Sequence, residues 1–135
     1  MAEGKIFVTG ATGFIGERLV QKLAERQCRV RALTRRDLPP SPPGFDAKRG
    51  GPWHRNGVEL VRGDITDLDS LRRGMEGCDR VFHLAAYAKN WARDRRTFYR
   101  MNVEGMRNVF RVARELGVAR VVLTSTCVTL LKEPI

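Results

Sequence analysis

The sequence predicts a doubly wound α/β fold, in which one parallel sheet carries helices on both faces. Two observations carry this expectation. Short apolar runs alternate along the chain with stretches whose apolar residues recur at three- and four-residue intervals, the alternation of strands and helices that builds a parallel sheet. The strand-like runs are also nearly continuous in apolar residues, as strands covered on both faces are. Right-handed crossovers then make the sheet doubly wound. At 135 residues the chain has the size of one domain and can bury roughly two-thirds of its unfolded surface.

The elements follow in order. "KIFVTG" (5–10) is a short apolar run ending in glycine and reads as a buried strand. After the glycine-rich stretch, Phe14, Ile15, Leu19, Val20 and Leu23 fall on one face of a helix running to about Arg26. "CRVRALTR" (28–35) alternates and forms the second strand. Residues 37–57 are too rich in proline and glycine for a regular element and form a long loop. "VELVRGD" (58–64) is the third strand, and "DLDSLRRGMEG" a short helix capped by an aspartate. "DRVFHLAA" (79–86) is the fourth strand. From Thr97 to Leu116, Phe98, Met101, Met106, Val109, Phe110 and Ala113 mark a long helix, whose basic start "NWARDRRTFYRMN" is exposed. "ARVVLTST" (119–126) is the fifth strand, with nine residues after it.

Composition narrows the function classes. Apolar residues make up 42% and charged residues 30% of the chain, the balance of a soluble globular protein. No apolar stretch approaches the ~20 residues that span a bilayer. The N-terminus "MAEGKIFVTG" lacks the basic and apolar regions of a secretory leader. A cytoplasmic protein with no membrane partner is expected. Cys28, Cys78 and Cys127 show no C-x-x-C spacing, and His54 and His83 share no ligand spacing with them. Structural thiols and no metal site are expected. The net charge of +10 comes mostly from arginines spread along the chain, with no basic block or recognition motif. Nucleic acid is therefore not the expected partner; a positive field that attracts an anionic cofactor is.

The glycines of "FVTGATGFIG" (7–16) carry the chemistry. A strand, a glycine turn and a helix form a phosphate cradle. Gly10 can take backbone angles that a side chain forbids, Gly13 leaves room for a phosphate against the main chain, and Gly16 lets helix and strand pack closely. The helix start offers free N–H groups and roughly half a positive charge, so a pyrophosphate is the natural occupant. The spacing is G-x-x-G-x-x-G, a variant of the dinucleotide fingerprint. Arg35 and Arg36 stand 19 and 20 residues after Gly16, where an NAD site carries an acidic group for the ribose 2′-OH. A guanidinium there suits a 2′-phosphate, which favours NADP over NAD, unless Arg36 or both arginines simply face solvent. Asp64 is placed to meet an adenine amino group, with Ile65 on the ring, or else serves a turn. Small Ala85 and Ala86 let the chain pass close to a cofactor, or pack tightly on their own account.

As a set, "TGATGFIG", "VRALTRR", "GDITD", "FHLAA", "NVEGMRNV" and "VVLTST" closely resemble the N-terminal half of extended short-chain dehydrogenases/reductases. The type is the NAD-dependent epimerase/dehydratase one, and the likeness is greatest to dihydroflavonol-reductase-like and hydroxysteroid-dehydrogenase-like members. It covers Lys5 to about Thr129 and implies a Rossmann-like sheet, truncated after its fifth strand. Residues 1–135 are then the N-terminal part of an NAD(P)-binding domain. The resemblance implies that Gly10, Thr12, Gly13, Phe14, Ile15 and Gly16 bind the pyrophosphate. Arg35 and Arg36 meet the adenosine-ribose phosphate, Asp64 and Ile65 the adenine, and Leu84, Ala85, Ala86 and Thr124 line the path to the nicotinamide. Asn102 ties its helix to a neighbouring strand. Ser125 and Thr126 stand where the family carries a serine pair, so that Thr126 hydrogen-bonds the substrate oxygen.

The implied chemistry is hydride transfer at a carbon bearing oxygen, in a sugar nucleotide or a steroid-like or flavonol-like carbonyl or alcohol. A tyrosine serves as acid or base beside a lysine four residues on. The only tyrosines here, Tyr87 and Tyr99, are followed four positions on by Trp91 and Val103. The catalytic pair and substrate-binding region are thus expected beyond Ile135, in a longer protein, and these residues alone are expected to be inactive. The fifth strand would be left as an apolar sheet edge, available to a second copy of the chain in a homodimer. A non-enzymatic NADP(H)-sensing or protein-interaction module is the alternative.

Overall fold

A computed structural model describes residues 4–36, 57–89 and 91–126. The predicted 37–57 loop, apart from Gly57, lies outside them, as does Cys127. Strands β1 (Lys5–Thr9), β2 (Val30–Thr34), β3 (Val58–Arg62), β4 (Cys78–His83) and β5 (Arg120–Leu123) form one sheet. Its order is β3-β2-β1-β4-β5 and every pairing is parallel. The order reverses beside β1: the chain moves outward to β2 and β3, then crosses back to β4. Such a switch point opens a crevice at the carboxyl ends of the two central strands.

Alternation along β1 builds both layers of the core. Phe7 faces one side, in a cluster with Leu33, Leu71, Met75, Val81, Val109 and Val112. Ile6 and Val8 face the other, with Val20, Val30 and Ala32. Helix α1 (Phe14–Glu25) covers the second face; α2 (Leu68–Met75) and α4 (Gly105–Glu115) cover the first. Asp67 caps α2, its Oδ1 accepting the Asp69 amide at 3.0 Å. Arg31 ties three elements together: its Nε donates to Glu59 on β3 at 2.8 Å, and its Nη1 to the carbonyl of Glu76 after α2, also at 2.8 Å. Burial on both faces holds for the central strands. Edge strands β3 and β5 are largely exposed, with Val122 and Leu123 of β5 each 41% accessible.

Three departures from the sequence reading bear on the site. Strand β4 stops at His83, short of Ala86, and beyond it the Leu84 amide still donates to the Thr9 carbonyl at 3.2 Å. Its partner β5 stops at Leu123, because the register pairs Leu123 with His83. The long helix comprises α3 (Arg96–Tyr99), a π-helical turn (Arg100–Glu104) and α4. Wider turns of this kind often accompany functional sites. Here the turn carries Asn102, whose Oδ1 accepts the Tyr87 amide at 2.7 Å and whose Nδ2 donates to the Tyr87 carbonyl at 3.2 Å. The helix is thereby tied to the segment after β4, as expected of this asparagine. The Tyr87 ring meets Phe98 edge-on at 5.0 Å, which reinforces the tie.

One part of the helix pattern misleads. Phe14 and Ile15 share the apolar spacing of α1 yet are 92% and 59% exposed, while Val20 is buried. The first turn of α1 stands at the open end of the sheet, and Gly16 packs there on the Gly10–Ala11 turn instead.

Candidate functional site

The site begins where β1 ends. Gly10 turns the chain with φ +67°, and a Cβ at this position would lie 2.5 Å from the Ala85 amide nitrogen and 2.6 Å from the Leu84 carbonyl carbon. Nothing larger than glycine lets β1 and the segment after β4 approach so closely. The turn closes with the Gly13 amide donating to the Gly10 carbonyl at 3.1 Å. Gly13 is the N-cap of α1 and no side chain caps the helix, so the amides of its first turn lack intrahelical acceptors. Gly16 brings that turn down onto the loop, since a Cβ there would sit 2.0 Å from the Gly10 carbonyl oxygen. Gly13 differs. Its Cβ would have the Gly10 oxygen at 3.3 Å as its one neighbour within 4 Å, and the space above it is open.

That space belongs to a cleft of about 220 Å³ at the switch point. Gly10, Thr12 and Gly13 form its floor. Arg35, just past β2, stands at one end with Asp64 and Ile65 from the turn after β3; Leu84, Ala85 and Ala86 line the other. Nine of the residues singled out in the sequence thus meet around one cavity. Phe14, Ile15 and Gly16, next in the chain, are not among the lining residues; the first two are exposed and Gly16 is buried. Arg36 lies outside the lining; its amide donates to Thr34 Oγ1, and its carbonyl accepts from the same hydroxyl. Thr124 is also outside, extending the ladder by donating its amide to the His83 carbonyl at 3.1 Å. Ser125 and Thr126 are exposed beyond β5 and do not line the cleft.

The turn reading of Asp64 holds in part: its Oδ1 accepts from the Thr66 amide at 2.9 Å and the Thr66 hydroxyl at 2.8 Å. The helix cap is Asp67. Ile65 is 3% exposed and packed in the core, and reaches the cavity only in part. Leu33, Gly63 and Met101 also line the cleft and were not singled out as site residues. Leu33 and Gly63 are near neighbours of Arg35 and Asp64 in sequence, a signal that strand-end position alone could have given. Met101 reaches the cleft from the π-helical turn, which apolar periodicity does not reveal.

A buried pair sets the wall between β1 and β4. Thr9 Oγ1 lies 2.6 Å from His83 Nδ1 and accepts the Ala85 amide at 3.3 Å. The hydroxyl is thus placed to donate to a neutral imidazole. Burial pushes the His83 ring down to about 4, so it is uncharged in the folded protein at neutral pH. The unfolded chain takes up this proton near pH 6.5. Stability from this group is therefore complete above about pH 6.5 and is lost as the pH falls toward 4. At 1.36 kcal/mol per pKa unit the loss is roughly 3 kcal/mol. The thermal midpoint should fall on this limb, and His83→Gln should flatten it relative to the background from Glu59 and Glu115, whose ion pairs hold them low. An unchanged slope in the variant would contradict this role for His83.

Comparison with known proteins identifies the family. The sequence model of the NAD dependent epimerase/dehydratase family matches residues 6–130. A protein of Synechocystis sp. named after dihydroflavonol 4-reductase is 41% identical over 120 residues, 89% of this chain and 32% of its own. A 2-alkyl-3-oxoalkanoate reductase of Shewanella oneidensis is 34% identical over 120 residues, 89% of this chain and 28% of its own. Among solved structures, MoeE5 in complex with UDP-glucuronic acid and NAD superposes with a TM-score of 0.71 at 32% identity, over 91% of this chain and 37% of that one. The chain spans about a third of the length of the relatives it matches.

Proposed function

The chain belongs to the NAD dependent epimerase/dehydratase family, and from that premise we propose that it is the dinucleotide-binding part of an oxidoreductase or epimerase with a preference for NADP. The carrying observation is the open space over Gly13, framed by uncapped helix amides and closed at one end by Arg35. Open space over uncapped amides fits a diphosphate. In this reading the amides from Phe14 to Gly16 hold the diphosphate over Gly13, Asp64 and Ile65 hold the adenine, and Leu84–Ala86 with Thr124 pass beside the nicotinamide. Ser125 and Thr126 present hydroxyls to the substrate oxygen. When bound, the coenzyme supplies hydride transfer at a carbon bearing oxygen.

The substrate is a sugar nucleotide or a steroid-like or flavonol-like carbonyl or alcohol, in keeping with the reductases and the sugar-nucleotide complex among the relatives. These 135 residues contain no Tyr-x-x-x-Lys pair, so the chain by itself is expected to oxidise no NADPH with any such carbonyl. Turnover by this chain would refute that part of the reading. The exposed apolar edge of β5 favours one second reading, a coenzyme-sensing module that docks a partner through that strand. A stable dimer of this chain in sedimentation would support it.

Arg35 supplies the test of coenzyme choice. NADP⁺ should bind more tightly than NAD⁺. Arg35→Gln should weaken NADP⁺ about ten-fold and leave NAD⁺ unchanged, the lower end for charge-assisted hydrogen bonds at an exposed site. Equal weakening of both coenzymes, measured by calorimetry, would remove Arg35 from the 2′-phosphate.

A further inference from the structure

Beside the adenosine end of the cleft lies a second, shallower basin of about 460 Å³, which shares Arg35, Gly63 and Asp64 with it. Two more arginines stand on its walls: Arg62, the last residue of β3, and Arg73 on α2. Parallel pairing sets Arg62 directly across from Thr34, one residue before Arg35. Three separate elements therefore deliver a guanidinium to one depression. Two carboxylates share it, Asp64 and Asp67. Each has its Oδ1 engaged within its own turn, by Thr66 and by the Asp69 amide respectively. Among the described residues, three guanidinium groups and two carboxylates line this basin, next to the place where the coenzyme reading puts a ribose.

We propose that Arg62 and Arg73 join Arg35 in a three-arginine site for a phosphate monoester on the adenosine ribose. Selection of NADP over NAD then rests on β3 and α2 as well as on the end of β2. The inference depends on the coenzyme reading above and adds two specificity-determining residues to it. Planar guanidinium forks suit a dianionic phosphate, because each can donate two parallel hydrogen bonds to its oxygens. Arginines converging from three directions also hold such a group with less reorganisation than one flexible side chain can. All three are exposed, so each contributes modestly and the effect lies in their number.

The test is calorimetric titration of this chain and of Arg62→Gln, Arg73→Gln and the double variant with NADP⁺, NAD⁺, and NAD⁺ plus inorganic phosphate. Each single change should weaken NADP⁺ about three-fold, as for an exposed charge pair, and the double change about ten-fold. NAD⁺ affinity should stay constant throughout, which also shows that the variants are folded. Charge-preserving Arg73→Lys should recover part of the loss. A double variant that binds NADP⁺ like the parent, while Arg35→Gln does not, would overturn the inference and leave the coenzyme reading standing. If the basin takes inorganic phosphate alone, the double variant loses phosphate binding and keeps its preference for NADP⁺, which also overturns it. A parent chain that binds neither coenzyme would overturn both readings.

Discussion

Gly10→Ala should lower the unfolding midpoint by on the order of 10 °C and abolish coenzyme binding with it. Two costs combine. The residue sits at φ +67°, where an L side chain costs about 1–2 kcal/mol. Its Cβ would also press on the backbone of Leu84 and Ala85 at 2.5–2.8 Å, and overpacking of this kind costs about 1–3 kcal/mol. Neither neighbour can yield cheaply. The Ala85 amide is held by Thr9 and the Leu84 amide by the Thr9 carbonyl, so moving them breaks the seam between β1 and β4. Circular dichroism melting would check this, and a variant that melts with the parent would show that the close approach is not needed for folding.

Gly13→Val should do the opposite: leave the melting temperature within a few degrees and reduce dinucleotide affinity roughly thirty- to a hundred-fold, the effect of overpacking moved into the binding site. Gly13 has φ −83° and ψ 172°, extended backbone open to any residue. Its Cβ would touch only the Gly10 oxygen at 3.3 Å, and the valine methyls would stand in the open space above the helix amides. Folding asks of this glycine only the N-cap and one tight contact, and in the coenzyme reading its remaining role is to keep the space over the amides open. Calorimetry beside melting curves separates the two effects. Loss of stability without loss of affinity would reverse the assignment.

These two glycines show what was legible in the sequence. The spacing of Gly10, Gly13 and Gly16 located the turn, and the alternation of apolar runs gave the five strands and the class of fold. Arg35, Asp64 and Ala85 could be placed because each ends or follows a strand, and parallel strands bring their carboxyl ends to one edge. What escaped depends on tertiary register. Strand β4 ends at His83 where the Thr9 hydroxyl meets its ring, a long-range contact that apolar patterning cannot encode. The π-helical turn that brings Met101 to the cleft also carries the pairing of the Asn102 amide with the Tyr87 backbone across the fold. Phe14 and Ile15 fit the helical period and are nevertheless exposed, since periodicity records a face and not where the sheet beneath it stops. Arg62 and Arg73 are unremarkable in a chain with 25 basic residues; only the fold sets them beside Arg35.

Amide-resolved NMR, with NADP⁺ titrated into the ¹⁵N-labelled chain, reads the cradle itself. The resonances of Phe14, Ile15 and Gly16 should move together, saturably, with the dissociation constant that calorimetry gives. If NADP⁺ binds and these three amides stay in place while others shift, the head of α1 does not hold the diphosphate.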